Sequence, residues 1–434
     1  MKREKIAIIG SGIAGLGSAY FLYKKYDITI FEKNDYAGGH SNITTVTEGK
    51  RSIPIDTAVM IFNEAKYPYF CRLLRILDVP TKWANSTLGI QHLPTGLVYG
   101  VPTLKLLLSQ PSNLINPSYW SLLNEIIRFG KVAPEVLKNE KFGNYTLVQY
   151  AKERKFSDAF LYQFLVPFIA GLWSADRKQM NGFPIVTLVH YFDNHHLLLP
   201  PVESLFGRNG KYGWRTFEGG TQVYRDRLLH LFPNALKLNM PVKKVKRFPT
   251  YVELTITNNK TVMFDRVIFA CHADEALKLL ANPTNLEKEL LRTFLYKKNT
   301  VTLHTDSSIM PQARRSWAAF NCRLEVHNKK EQVTFNYYLN LLQQFSAKKD
   351  YFLAIGNDWS IDPKKIMQRF YYTHPVYSVP SAKAQSRLQE LNKNGRIYFC
   401  GSYFRYAFHE DAFVSALDAC CALTGEKLWE EELE

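Results

Sequence analysis

The chain lacks the long apolar run that a membrane-spanning helix requires. Its most apolar stretch, residues 160–173, is interrupted by Gln163 and Pro167, whereas a spanning helix needs about 18 or more apolar residues. The sequence also reaches its first predicted strand within about five residues of Met1, which leaves no room for the apolar core of a secretory signal. We therefore expect a cytoplasmic protein.

Cysteine is scarce, and its spacing fits no metal site. The 434 residues include six cysteines, and none of them forms a Cys-x-x-Cys pair of the kind that zinc sites use. The histidines His190, His195 and His196 likewise form no HExxH arrangement, so tunnel-lining or surface positions explain them better. We predict no bound metal and expect the cysteines to be small core residues.

Acidic residues are in deficit. The 55 Lys and Arg outnumber the 39 Asp and Glu, which gives a formal net charge of +16 at pH 7 and a pI of about 9.4. Such an excess raises affinity for anionic surfaces, including nucleic acid, acidic lipid and anionic substrates. No nucleic-acid motif accompanies the basic clusters, so we expect the protein not to bind nucleic acid. We expect these clusters to be solvated or to contact an anionic membrane surface. Such a contact would make the protein peripheral on the inner face of the membrane. The clusters are Lys243, Lys244, Lys246 and Arg247; Arg314 and Arg315; Lys348 and Lys349; and Lys364 and Lys365.

A glycine-rich turn follows the first strand of the chain. Residues 5–9 are an uninterrupted apolar run after Lys5, which is typical of a parallel strand buried on both faces. In a dinucleotide-binding turn the first glycine allows the bend, the second admits a pyrophosphate and the third lets the helix pack on the strand, while the helix N-terminus offers N–H groups to the phosphates. The predicted contacts are Gly10, Gly12, Ile13, Ala14 and Gly15.

An acidic residue ends the second predicted strand, residues 28–31. Glu32, followed by Lys33, lies where a carboxylate accepts hydrogen bonds from a ribose 2′-OH. A lone glycine motif is weak evidence, because an ordinary α/β domain can contain such a turn. Strand, helix, second strand and terminal acid in register favour a nucleotide site. The sequence therefore predicts a Rossmann-like α/β domain.

A second glycine pair specifies the dinucleotide. Gly38 and Gly39 stand five residues beyond Glu32, and this E-x5-GG spacing resembles the signature of the flavoprotein superfamily of amine oxidases, phytoene desaturases and protoporphyrinogen oxidases. The resemblance implies FAD as the cofactor and a Rossmann-like FAD-binding domain of the amine oxidase and glutathione reductase type, with a second α+β substrate domain. Those proteins usually carry Arg after the pair, where this chain has His40, so a titratable side chain replaces a permanently charged one and an ordinary amine oxidase is less expected.

The same resemblance assigns further residues to the cofactor. Val242 corresponds to a residue whose backbone usually contacts the adenine. Asp56 and Thr57 lie in the segment IDTAVMIFN, which also resembles the family. We assign both of them to cofactor binding.

The C-terminal run GSYFRYAFHEDAFVSAL, residues 401–417, carries a closer resemblance. It is similar to the end of a bacterial family of NAD/FAD-binding, amine-oxidoreductase-like proteins, which typically have a GFHEDG-like run. Here Ala407 and Ala412 replace the usual glycines. A helix beginning in this run would direct its N-terminal N–H groups at the flavin pyrimidine ring and stabilise negative charge at N1 and O2 of reduced flavin.

Titratable residues in and near this run are the catalytic candidates. We predict that His409 faces the flavin and that Glu410 and His304 are further catalytic residues. For Glu410 and Asp411 the capping of a helix is an equally good explanation. The predicted cofactor contacts of the run are Gly401, Ser402, His409, Asp411 and Ala412.

The order of these segments predicts two interleaved domains. The FAD-binding domain would comprise residues 1–80, 207–285 and 390–434. The substrate domain would comprise a mainly helical part, residues 81–206, and a sheet part, residues 286–389.

Three classes of function stay open. The first is an FAD-dependent oxidoreductase acting on a hydrophobic small molecule or acyl lipid, by dehydrogenation or isomerisation of an unsaturated fatty acyl chain. The resembling family implies this, because some of its relatives are implicated in dehydrogenating acyl chains. Its members often occur alongside cyclopropane-fatty-acid-synthase-like methyltransferases, so the resemblance also implies an acyl-modifying methyltransferase as a partner. The second is an amine oxidase that oxidises a C–N bond with O2. The third is a non-catalytic flavoprotein that binds lipid or a partner enzyme. The sequence indicates neither the electron acceptor nor the oligomeric state.

Overall fold

The computed structural model describes residues 3–173, 182–194, 198, 213–356, 358–393 and 395–429. The strands of this part of the chain are β1 Lys5–Ile9, β2 Asp27–Phe31, β3 Ile43–Glu48, β4 Arg51–Asp56, β5 Phe62–Asn63, β6 Thr81–Trp83, β7 Leu88–His92, β8 Leu97–Val101, β9 Trp214–Phe217, β10 Leu236–Lys237, β11 Lys244–Arg247, β12 Val252–Thr255, β13 Thr261–Phe264, β14 Arg266–Phe269, β15 Leu295–His304, β16 Phe320–His327, β17 Lys330–Tyr338, β18 Phe352–Ile355, β19 Ile366–Val376 and β20 Ile397–Phe399.

The helices of the same residues alternate with these strands. They are α1 Ile13–Leu22, α2 Pro68–Ile76, α3 Leu104–Leu107, α4 Pro117–Val132, α5 Leu147–Glu153, α6 Asp158–Phe160, α7 Val166–Trp173, α8 Ile185–Asn194, α9 Gln222–Leu231, α10 Ala273–Leu279, α11 Asn285–Leu291, α12 Leu339–Leu342, α13 Val379–Gln385 and α14 His409–Thr424. The segment Leu161–Leu165 is a π-helical turn between α6 and α7. No helix in the described ranges combines the length and the apolar character that crossing a membrane would need.

A parallel sheet is assembled from three distant parts of the chain. Within the described residues its strand order is β10-β2-β1-β14-β20, and β1 pairs in parallel with both β2 and β14. The side chains of Ile6, Ala7 and Ile8 are fully buried, as a strand covered on both faces requires. The carboxyl ends of β1, β2 and β14 therefore meet at one edge, where nucleotide ligands bind in such folds.

The C-terminal helix α14 packs against α1. The contact is close because a glycine faces an aromatic ring: a Cβ atom added at Gly17 would lie 2.8 Å from the Phe413 ring. This packing brings the start of α14 next to the glycine turn that begins α1, so two ends of the sequence meet at the carboxyl edge of the sheet.

A second, mixed sheet has the order β19-β15-β18-β17-β16-β7-β8 among the described residues. Its longest pairing joins β15 and β19, from Leu295 opposite Val376 to His304 opposite Ile366. The middle of the sheet and the helices α4 to α8 enclose an aromatic core that includes Phe129, Phe160, Phe192 and Phe335. These elements form the walls of the cavity described below.

The prediction that residues 81–206 are mainly helical is wrong for their first part. Residues 81–101 contain β6, β7 and β8, and β7 pairs in parallel with β16, so β7 and β8 extend the mixed sheet. The turn between them contains Pro94 and Gly96, the latter with φ +69°, and such residues favour a hairpin. The predicted boundary after residue 206, together with His195 and His196, lies outside the described residues.

Candidate cofactor and substrate site

A cavity of about 1250 Å³ joins the carboxyl edge of the parallel sheet to the mixed sheet and its helices. Most residues predicted to contact the cofactor line it, although they come from four separate parts of the sequence. Those residues are Gly10, Gly12, Ile13, Ala14, Glu32, Lys33, Gly38, Gly39, His40, Thr57, Val242, Gly401, Ser402, His409 and Ala412.

The glycine turn has the geometry that a phosphate needs. Gly10 has φ +105°, and a Cβ atom added at Gly15 would lie 1.9 Å from the Gly10 carbonyl oxygen, so α1 can sit this close to β1 only without a side chain there. Around Gly12 the opposite holds, because an added Cβ atom would meet no heavy atom within 4 Å. No side chain caps the first turn of α1, which leaves its N–H groups for an anion.

Glu32 holds this turn in place. Its Oε2 accepts hydrogen bonds from the Ser11 N–H at 3.0 Å and the Ser11 hydroxyl at 2.6 Å. Its Oε1 accepts from the Asn34 N–H at 3.0 Å and the Asn34 side-chain amide at 2.8 Å. A ribose hydroxyl would replace the rotatable Ser11 hydroxyl or Asn34 amide, while the two backbone bonds persist.

Beside the glycine pair, His40 offers a buried polar atom with no partner. Its Nε2 is enclosed and forms no hydrogen bond with any described residue, which is costly unless a ligand satisfies it. Together with the uncapped start of α1 and the carboxylate of Glu32, this atom makes the lining suited to FAD. Phosphates would lie at α1, the ribose at Glu32, and the flavin towards His40 and the start of α14.

His409 begins α14 and lines the cavity. Its Nε2 lies 2.7 Å from the Tyr224 hydroxyl, which also forms a hydrogen bond with the Ser41 hydroxyl. The Phe70 ring packs edge-on against the imidazole, with centroids 4.8 Å apart. Burial lowers the pKa of His409 to about 3, so the ring is neutral and oriented by Tyr224 at physiological pH.

The carboxylates that follow His409 have structural partners instead of the cavity. Glu410 accepts hydrogen bonds from the N–H groups of Tyr69 at 3.0 Å and Phe70 at 2.8 Å, in the first turn of α2. Asp411 accepts from the N–H groups of Tyr406 at 3.1 Å and Phe408 at 2.9 Å, closing the loop before α14. The catalytic role predicted for Glu410 and the cofactor contact predicted for Asp411 therefore do not fit this geometry.

Asp56 and His304 are also absent from the lining that the described residues form. The Asp56 Oδ1 accepts from the N–H and hydroxyl of Thr221 at 2.8 and 2.6 Å, which anchors the start of α9. His304 is fully buried, its ring stacks on Phe352 with centroids 5.4 Å apart, and its Nδ1 accepts from the Asp306 N–H at 3.2 Å. The cofactor contact predicted for Asp56 and the catalytic role predicted for His304 therefore do not fit this geometry, because neither side chain lines the cavity.

A cluster of rings around His40 was not predicted. The His40 ring lies 5.1 Å from that of Tyr372, 5.6 Å from that of His374 and 6.5 Å from that of His272, measured between centroids. His374 is fixed by a 2.8 Å hydrogen bond between its Nδ1 and the Asn299 side-chain amide. Burial lowers the pKa of His374 to about 4 and shifts those of His40 and His272 in the same direction. No motif marks these positions; the histidine in place of arginine after the glycine pair was the one signal in the sequence.

The remainder of the cavity is mainly apolar and aromatic, with a few uncharged polar side chains such as Asn85, Thr103 and Gln344. Its walls include residues from α4, the π-helical turn, α8 and the mixed sheet, among them Leu123, Ile126, Phe164, Phe192, Phe320 and Phe335. Of the described residues 81–198 and 295–376 that line the cavity, none is Asp, Glu, Lys or Arg. The charged residues of the lining, such as Glu32 and Lys33, belong to the nucleotide end.

The fold and this site define an FAD-binding oxidoreductase. The chain belongs to the family described as flavin containing amine oxidoreductase, whose profile matches residues 13–297. This confirms the predicted family, the α/β fold with its FAD-binding domain, the cofactor FAD and the oxidoreductase class.

Solved structures share the fold across the whole chain. Cyclohexylamine oxidase from Brevibacterium oxydans IH-35A is 15% identical with a TM-score of 0.71, over 98% of this chain and 99% of that one. A CLA-producing fatty acid isomerase from P. acnes is 12% identical with a TM-score of 0.66, over 95% and 97% of the two chains.

A short segment of the sequence is also similar to a carotenoid enzyme. The 1-hydroxycarotenoid 3,4-desaturase of Flavobacterium sp. (strain P99-3) is 65% identical over 37 residues, which are 8% of this chain and 8% of the desaturase.

Proposed function

We propose that the protein dehydrogenates or isomerises an unsaturated fatty acyl chain. The observation that carries this proposal is that the described residues lining the cavity beyond the nucleotide end carry no charge. Apolar and aromatic walls satisfy an acyl chain fully. A protonated amine would lose its hydration there and, among the described residues of these walls, would find ring faces but no carboxylate.

The residues of this chain would bind, orient and shield the substrate. FAD supplies hydride acceptance and return. Rings such as Phe164, Phe192 and Phe320 would enclose the chain and exclude water. His409 would be held against the flavin by its bond to Tyr224, and the N-terminus of α14 would stabilise negative charge on the reduced ring.

The name of one similar protein, a fatty acid isomerase, supports the choice of an acyl substrate. The name of another, a 1-hydroxycarotenoid 3,4-desaturase that matches 8% of this chain, supports desaturation as the reaction but names a carotenoid as the substrate. The amine oxidase alternative is favoured by the likeness to cyclohexylamine oxidase. Aromatic faces in the cavity would attract an amine through cation–π contacts, but the absence of acidic residues from the described walls beyond the nucleotide end weakens this alternative.

The test is anaerobic mixing of the FAD-loaded protein with oleate, linoleate or cyclohexylamine, while the flavin absorbance is followed in a stopped-flow instrument. Bleaching by the fatty acids supports dehydrogenation. Isomerisation instead leaves the final flavin spectrum unchanged and produces a shifted double bond, which gas chromatography detects. If cyclohexylamine bleaches the flavin and the fatty acids do not, the result rejects the acyl substrate and supports amine oxidation. Inertness towards all three, with no new product, would favour the non-catalytic partner of an acyl-modifying methyltransferase.

A further inference from the structure

An exposed apolar surface lies outside the cofactor site. Large apolar side chains that reach solvent follow one another along α3, the 3₁₀ turn Pro111–Ile115 and α4. We call this surface the 104–127 face. Its members are Leu104 and Leu108, each 41% exposed, Leu114 at 49%, Ile115 at 85%, Trp120 at 47% and Ile127 at 50%.

The sequence around this face is nearly free of charge. From residue 84 to residue 124, Lys105 is the one side chain among Asp, Glu, Lys and Arg, whereas such residues make up 22% of the whole chain. Single exposed leucines are normal on a protein surface, but a contiguous apolar surface marks an interaction site.

The 104–127 face is continuous with the cavity. Leu107, Leu123 and Ile126 line the cavity, and they lie on the same helices as the exposed members of the face. Ile127 belongs to both, because it is half-exposed and also contributes to the lining. An apolar molecule that rests on this surface is therefore next to residues that line the cavity.

Basic side chains border the face. Lys105 is exposed on α3, and the 3₁₀ turn Arg314–Ser316, which includes the exposed Arg315, packs against α3 and β8. At the end of α4, Lys131 is exposed as well. The carboxylate of this helix, Glu125, is partly buried and accepts hydrogen bonds from the N–H and hydroxyl of Ser157.

We propose that the 104–127 face docks on a lipid bilayer that contains anionic lipid and that the acyl substrate passes from the bilayer into the cavity there. An apolar centre with a basic border is the pattern of an interfacial element, which inserts its side chains to the depth of the headgroups and attracts anionic lipid with its cations. The docking rests on the surface alone, whereas the passage of substrate rests on the proposed function.

The experiment is sedimentation of the FAD-loaded protein with vesicles of phosphatidylcholine and about one third phosphatidylglycerol. Ile115→Asp places a charge at the most exposed member of the face and should weaken vesicle binding about tenfold or more. Met263→Asp is the matched control, since Met263 is 61% exposed on β13, away from the face. It should bind like the wild type. Flavin absorbance and melting temperature, measured on both variants, show that the fold is retained.

The outcomes separate the docking from its alternatives. Equal vesicle affinity of Ile115→Asp and the wild type, or an equal loss in Met263→Asp, overturns the proposal. A wild-type dimer that Ile115→Asp converts to a monomer without a change in vesicle binding shows that the face pairs two copies, which also overturns it. Binding that is lost only in Ile115→Asp, together with no turnover of any acyl chain, supports the docking and rejects the proposed function.

Discussion

Glu32 organises the nucleotide end of the cavity, because its carboxylate accepts four hydrogen bonds from Ser11 and Asn34. We predict that Glu32→Ala weakens FAD binding by tenfold or more, since each charge-assisted bond contributes about 1.5 to 3 kcal/mol. Titration of the apoprotein with FAD, followed by flavin fluorescence, measures the change. Asp35→Ala removes an exposed carboxylate from the same segment and should retain the wild-type affinity. Equal losses in the two variants would contradict the role of Glu32.

Substitution of His409 tests whether the start of α14 contributes to the reaction or only to the stability of the fold. His409→Ala should slow flavin reduction by substrate about 10- to 100-fold, because it removes the imidazole that we propose lies beside the flavin, while FAD occupancy falls little. Tyr224→Phe removes the hydroxyl that orients the ring and should give a smaller effect in the same direction. If occupancy collapses while turnover per bound flavin is unchanged, His409 has a structural role.

The buried His304 should make the free energy of unfolding depend on pH, although we expect it to have no role in catalysis. Burial lowers its pKa in the folded state to about 4, against about 6.5 in the unfolded chain. Its contribution is therefore present above pH 6.5 and is lost as the pH falls towards 4, because the unfolded state then takes up the proton. Between pH 7 and pH 5 this loss is about 2 kcal/mol.

In His304→Asn the amide oxygen can accept from the Asp306 N–H, and the group that titrates is gone. The free energy of unfolding of the wild type should therefore fall more steeply from pH 7 to pH 5 than that of the variant, as chemical denaturation at each pH would show. If the free energies of unfolding of the two proteins fell equally between pH 7 and pH 5, the buried position of His304 would be contradicted. A large loss of turnover per bound flavin in the variant would contradict its non-catalytic role.

At the scale of elements, Glu410 joins two helices, since this residue of α14 accepts from the first N–H groups of α2. Glu410→Gln retains one acceptor oxygen and turns an NH2 group towards the second N–H. We predict a cost of about 1 to 3 kcal/mol in unfolding free energy, visible as a lower melting temperature, with turnover per bound flavin nearly unchanged. A stable variant without turnover would restore the catalytic interpretation.

Local sequence patterns predicted the elements whose signals are local. The run of residues 5–9 followed by glycines predicted β1 and α1, and residues 28–31 ending at Glu32 predicted β2. The strands β7 and β8 were missed as sheet members, because residues 81–206 were predicted to be mainly helical. The strand β7 joins the mixed sheet through β16, which is more than 200 residues away in sequence, and β8 joins it through β7. A strand of mixed polarity between such distant partners has no periodic pattern to identify it.

In the candidate site, too, the residues that were predicted correctly are those whose signals are local in the sequence. The glycine turn and Glu32 lie within one βαβ unit, so their spacing in the sequence reports their geometry. Asp411 and Glu410 stand beside His409 in sequence, yet a helix directs neighbouring side chains to different faces, and only His409 meets the cavity. His272 and His374 reach His40 through tertiary packing alone, so His40, in place of the usual arginine, was the one member of that cluster with a signal in the sequence.

At the scale of the whole molecule, the net charge of +16 and the position of charge predict different behaviour. If overall charge alone attracted an anionic membrane, any two basic residues would count equally. If the protein docks through the 104–127 face, residues at its border should dominate, because a headgroup interaction falls off within about 8 to 10 Å at physiological salt.

Two double substitutions that change the net charge equally separate these possibilities. Lys105→Glu with Arg315→Glu alters the border of the face, whereas Lys244→Glu with Lys246→Glu alters exposed positions on β11. With roughly 1 kcal/mol per basic residue near the surface, we expect the first pair to weaken binding to anionic vesicles about 30-fold or more and to reduce its salt dependence, and the second pair to change it little. Sedimentation over a series of salt concentrations measures both effects. Equal losses in the two pairs would show that binding follows overall charge, because only an attraction without a preferred orientation treats β11 and the border of the face alike.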